Sequence, residues 1–237
     1  MRARRQCARM GIAPAATRSR VASVVGLVVA LGAPFVLPLL PGQANQHVTD
    51  VRQDTTIVVF EWILAIAVLG IVVFWERLPL GSIGFRPPSW QQFAAMAGAF
   101  VVLFVLLTAF ALLTHGASAA SEKPAQLAAI PLWFRVVVFL TAGFCEELLF
   151  RAYAIERLAL FTGNLWIGGV VSVVLFTLGH VPRYGFTPAL VAVGIIAAVL
   201  SALYVWTRNF WICATMHAII DCLGLVVAPA LATRGLL

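Results

Sequence analysis

Apolar stretches of membrane-crossing length recur along this chain, separated by short polar breaks. About 20 mostly apolar residues in a helix cross a bilayer core. Residues 21–40, 57–75 and 93–113 form the first three such stretches. A fourth starts near Leu127 or Leu132 and runs past Arg157 to the break at Gly163-Asn164. Residues 165–180, 187–206 and 210–228 complete the series, which predicts an all-α, polytopic membrane protein of about seven transmembrane helices. Gly168, Gly169 and Ser172, then Gly194, Ala198 and Ala202, give the fifth and sixth helices small-residue faces suited to close packing. Glu61 reads as a first-turn carboxylate of the second helix, suited to the positive end of the dipole.

Composition agrees. Of 237 residues, 62% are hydrophobic and 11% charged, against about 25% charged in soluble domains. Net charge is +7, with six arginines (Arg2, Arg4, Arg5, Arg9, Arg18 and Arg20) ahead of the first apolar run. That placement marks a cytoplasmic flank able to touch anionic lipid, not a nucleic-acid surface. A cleaved signal peptide is the rival reading of the first run, with Gly42-Gln43-Ala44 near its end. The run is long for a signal peptide, which favours a retained helix. Arg77, Arg86, Arg157 and Arg208 then fall on the cytoplasmic side, and Arg52, Lys123, Arg183 and Arg234 opposite, with the C-terminus outside. The expected division is a basic tail (1–20), variable transmembrane helices (21–126), a helical core (127–228) and a short C-terminal tail (229–237). His47 and His115 read as loop and interfacial residues. Cys7, Cys145, Cys213 and Cys222 show no metal spacing and read as small apolar residues.

Charged side chains inside membrane helices are costly and by default functional. Glu146, Glu147 and Arg151 lie within the fourth apolar segment. Glu147 and Arg151 are one helical turn apart and can pair, while Glu146 faces another direction. One turn likewise separates Phe176 from His180 and His217 from Asp221. Bringing these helices face to face hides the polar groups from lipid and makes a small cavity with carboxylate and imidazole groups. The expected division of labour is Glu146 for chemistry and Glu147 with Arg151 for architecture, although the reverse assignment is open. Such a set suits hydrolysis by activated water, with Glu146 as base, His180 orienting the water or transferring a proton, and His217 steadying oxyanion charge. Glu146, His180 and His217 are also a candidate zinc triad, although neither HExxH nor GxSxG occurs. Upright helices would leave His180 and His217 at different depths, a tension that a tilted or displaced fifth helix, or a fourth helix whose membrane part starts late, relieves.

The three patterns, EExxxR at Glu146-Glu147 to Arg151, FxxxH at Phe176 to His180, and HxxxD at His217 to Asp221, occur in order. In this the chain resembles the CAAX prenyl endopeptidase and bacteriocin-processing (Abi) family of intramembrane proteases over roughly residues 132–225. The resemblance implies a helical membrane protease with Glu146, His180, His217 and Asp221 as catalytic residues, and Glu147, Arg151 and Phe176 accessory. It implies either a zinc-dependent or a glutamate-centred mechanism without metal. The implied partners are the bilayer and a membrane-associated peptide or protein substrate, and no nucleic acid. Family members often carry Asn where Asp221 stands, and an ionised aspartate accepts hydrogen bonds only, so its role differs from the Asn form. A non-enzymatic binding or immunity protein of the same fold, or a small transporter, is the alternative function.

Overall fold

The computed structural model describes residues 17–39, 51–114 and 127–235, and every described element is helical. The expectations for the basic tail before residue 17, Cys7, His47, His115 and Lys123 lie outside the described residues. Helix α1 is Thr17–Val36, with Pro34 inside its last turn. Helix α2 runs Val51–Gly70 and continues as a π-helical turn, Ile71–Trp75. Helix α3 is Trp90–Leu113. Helix α4 follows Pro131 in three parts, Leu132–Thr141, a π-helical stretch Ala142–Tyr153, and Ala154–Thr162. Helix α5 is Leu165–Gly179, followed by a one-turn helix Val181–Tyr184. Helix α6 is Pro188–Thr207, and α7 spans Phe210–Ala232 with a π-helical turn Leu223–Val227.

Local sequence explains the breaks. Gly163 ends α4 at φ +73°, a left-handed conformation that glycine adopts without a Cβ clash. Asn164 then caps α5, its side chain accepting from the Trp166 amide. Asn209 caps α7 in the same way through the Ile212 amide. The Ser89 amide donates to Gln92 Oε1 at the start of α3, after the Pro87-Pro88 stop.

Five helices among the described residues are long and apolar enough to cross a membrane, Asp54–Trp75, Trp90–Leu113, Leu165–Tyr184, Pro188–Thr207 and Phe210–Ala232. This is a multi-pass membrane protein. The remaining rods differ for physical reasons. The apolar part of α1 is short, Arg20–Gly32. Helix α4 carries Arg135, Glu146, Glu147, Arg151, Glu156 and Arg157, so much of its surface needs polar partners rather than lipid. Accordingly it sits at the centre, packed against α2, α5 and α7, with residues 147–157 buried throughout.

Those partners come from distant parts of the chain. Arg157 is 1% exposed and donates Nη2 to Glu76 Oε2 at 2.7 Å and Nε to both Glu76 oxygens, at 3.0 and 2.9 Å. The hydroxyls of Tyr153 and Ser23 donate to Glu76 Oε1 at 3.0 and 2.7 Å. One carboxylate thereby ties α1, the end of α2 and α4 together. Arg208, in the turn after α6, pairs with Glu156. Half-burial strips its hydration, which disfavours its charge. The bonds and field of Glu156 outweigh that and hold the Arg208 guanidinium above the usual arginine range. Glu76, just past the second apolar run, is buried because Arg157 draws it inward.

The small residues act as expected at one point in particular. A Cβ on Gly168 would stand 2.9 Å from the Ile155 carbonyl oxygen, so α5 approaches the backbone of α4. Ser172 crosses the same contact and donates to the Phe150 carbonyl at 2.7 Å.

Candidate active site

The π-helical stretch of α4 carries Glu146, Glu147 and Arg151. π-helical turns are rare and concentrate at functional sites. Gly143 lets this stretch approach α7 closely, since a Cβ there would lie 3.0–3.1 Å from Ala214 and Ala218 atoms. The approach puts Glu147 Oε1 2.8 Å from His217 Nδ1. Asp221, one turn along α7, lies instead on the other side of the ring, with Oδ2 3.6 Å from Nε2. Glu146 Oε2 is 3.8 Å from the same Nε2. The carboxylate that fixes the His217 ring is therefore Glu147, and not Asp221 as the one-turn spacing suggested. Glu147 also pairs with Arg151, Nη1 to Oε1 at 2.8 Å, both side chains wholly buried. That approach is poorly aligned: the Arg151 guanidinium has no hydrogen-bond acceptor among the described residues and lies over the Phe176 ring at 4.1 Å.

His180 closes α5 as its C-cap, with Nδ1 donating to the Phe176 carbonyl at 2.8 Å. Both imidazoles thus have Nδ1 engaged by an acceptor, which leaves Nε2 of each ring for the cavity.

A cavity of about 190 Å³ is lined by Glu146, Phe176, His180, His217 and Asp221 together with Glu61, Arg183 and Tyr184. It has room for several waters. A second cavity of about 110 Å³ shares Glu61, Glu146, Phe176, His180 and Arg183 and is otherwise mostly apolar, lined by residues such as Leu64, Leu149 and Phe150. Despite the depth difference expected of upright helices, His180 and His217 line the same cavity, which extends along both one-turn pairs, Phe176 to His180 and His217 to Asp221.

Glu61 is the site residue that the sequence reading missed. Helix α2 begins at Val51, six residues earlier than hydropathy suggested, so Glu61 lies mid-helix and faces the cavity rather than capping a first turn. Its isolation within an apolar run was the available signal.

The zinc reading of Glu146, His180 and His217 does not fit this donor set. Among the described residues no three His, Cys, Asp or Glu side chains are grouped closely enough to hold an ion. His217 Nε2 faces two carboxylates, while His180 Nδ1 bonds the carbonyl of Phe176 in its own helix.

Fold and site together define a multi-pass helical membrane protein with a buried carboxylate and imidazole cavity. Residues 128–223 match the family model described as Type II CAAX prenyl endopeptidase Rce1-like. This part of the chain is a CAAX protease (Rce1-like) family domain, a fold consistent with intramembrane peptide hydrolysis. Searches of curated proteins and of solved structures each found no match.

Proposed function

We propose that the protein is an intramembrane endopeptidase that hydrolyses a peptide bond in a membrane-associated peptide or protein by glutamate-activated water. The observation that carries this reading is one cavity lined by Glu146, His180, His217 and Asp221, all four within the family domain. The gaps from His217 Nε2 to Glu146 and Asp221, 3.8 and 3.6 Å, exceed direct hydrogen bonding and suit a bridging water. Glu146 takes the proton of the attacking water, His180 orients that water, and His217 meets the charge developing on the carbonyl oxygen. Glu147 and Arg151 are positioning residues behind His217. Helices α1 and α4 make two further crossings, seven in all, with the N-terminus cytoplasmic and the C-terminus outside. Residues 127–228 form the catalytic core and residues 21–126 its membrane flank.

Purified protein in lipid vesicles, given a library of membrane peptides, is expected to cut a subset of them. Cleavage is expected to survive a strong chelator. Loss that added zinc restores would refute the metal-free mechanism, and no cleavage of any membrane peptide by folded protein would count against the hydrolase reading itself.

Two substitutions probe the supporting geometry. With Glu147 fixing the His217 ring, Asp221→Asn is expected to keep cleavage within about tenfold of wild type; the expectation rests on both side chains presenting an acceptor oxygen toward Nε2. A loss on the order of 1,000-fold would instead require the Asp221 charge. Gly143→Val is expected to push α4 from α7 by a fraction of an ångström and slow cleavage about 10- to 100-fold without unfolding, since small misplacements of reacting groups carry penalties of that order. Unchanged turnover would show that the close approach at Gly143 is not needed.

A further inference from the structure

Glu61 lies outside the family domain, on α2, yet faces the same cavity as Glu146. It also lines the smaller, mostly apolar cavity, which places it where the two meet, together with Glu146 and His180. Its carboxyl makes no hydrogen bond or ion pair with the described residues, unlike Glu76, Glu147 and Glu156, which each bind an arginine. A carboxyl within a membrane helix that holds no neighbouring helix has no architectural reason to be there.

Peptide hydrolysis leaves one chemical need unfilled by the residues assigned so far. The leaving nitrogen must receive a proton, because an amide anion is a very poor leaving group. The roles proposed above occupy both imidazoles: His217 is held at Nδ1 by Glu147 and meets the carbonyl oxygen, and His180, held at Nδ1 by the Phe176 carbonyl, orients the water. Asp221 faces His217 Nε2, and Glu146 serves as base.

We propose that the Glu61 carboxyl donates this proton to the leaving amine, a role that rests on the hydrolase reading above. The water oxygen bonds to the carbonyl carbon and gives one proton to the Glu146 carboxylate. The carbonyl then re-forms as the carbon–nitrogen bond breaks. The bonding pair stays on nitrogen, which takes the Glu61 proton. The products are a carboxylic acid and an amine. The proton on Glu146 passes across the shared cavity to the Glu61 carboxylate, restoring both groups.

The test uses full-length protein in phosphatidylcholine vesicles. The probes are a library peptide that wild type cuts and the same peptide with its scissile amide replaced by an ester. An alkoxide leaves far more readily than an amide anion, so loss of a proton donor should harm the peptide more than the ester. Glu61→Gln is expected to slow peptide cleavage at least about 100-fold and ester cleavage by only about threefold. Glu61→Asp, which keeps a carboxyl, is expected to recover part of the peptide rate. Glu146→Gln is expected to abolish both reactions. If glutamine disturbs the fold, Glu61→Ser provides the same comparison. A Glu61→Gln protein that cuts the peptide at the wild-type rate overturns the assignment, as does equal loss on peptide and ester. In that second case Glu61 would only shape the cavity, or Glu146 would carry the proton by itself. Folded wild type that cuts no peptide of the library overturns the hydrolase reading and this assignment with it.

Discussion

Glu146→Gln is expected to lower peptide cleavage by about 100- to 10,000-fold, the range that a positioned general base contributes. Glutamine keeps the size of the side chain and can still bond a water, but it cannot take the water's proton. The fold should survive, because Glu146 only lines the cavity edge, 3.8 Å from His217, and ties no helices together. The informative measurement is single-turnover cleavage of a reconstituted peptide by wild type and variant at matched thermal stability. If both cut the peptide equally, Glu146 is not the base, and the roles of the two adjacent glutamates would have to be exchanged. Glu147→Gln makes that comparison: it should also slow the reaction, by releasing the His217 ring from its 2.8 Å contact, but it should lower stability as well, since Arg151 then stays buried without a counter-charge.

Arg157→Ala is expected to produce the largest loss of stability, about 3–5 kcal/mol. The removed guanidinium makes short contacts to both Glu76 oxygens in a site that is 1% exposed at Arg157 and 6% at Glu76. Without it a carboxylate remains buried with only the Tyr153 and Ser23 hydroxyls to meet it. Replacing both partners, Glu76→Leu with Arg157→Leu, should cost less than the single change, because no unpaired ion is left. Thermal unfolding in one detergent measures the difference, and the single change should lower the midpoint by roughly 6–20 °C for a chain of this size. A double variant less stable than Arg157→Ala would mean that the network's hydrogen bonds, and not the burial of charge, dominate.

The paired charges and the cavity-lining charges of this protein look alike in sequence. Glu156 and Arg157 lie in the same helix as Glu146, Glu147 and Arg151. What distinguishes them is the partner each meets. Arg157 meets Glu76, 81 residues away, and Glu156 meets Arg208, 52 residues away. Glu146 and Glu61 meet a cavity instead.

By itself the sequence determined that this is a helical multi-pass membrane protein, where its helices break, and which charged and imidazole residues stand out within apolar runs. Hydropathy carries that information because lipid penalises each polar side chain wherever it lies in the fold. One-turn spacing also forecast local pairs correctly where both partners share a helix, as with Glu147 and Arg151. The tertiary structure alone decided that Glu147 rather than Asp221 holds His217 at Nδ1, that Glu76 is a buried anchor, and that Glu61 faces the same cavity as Glu146 from a helix outside the family domain. Those outcomes depend on which helix faces lie against each other and at what depth. Helix packing sets both through small residues such as Gly143 and Gly168, and no spacing within a single segment encodes them.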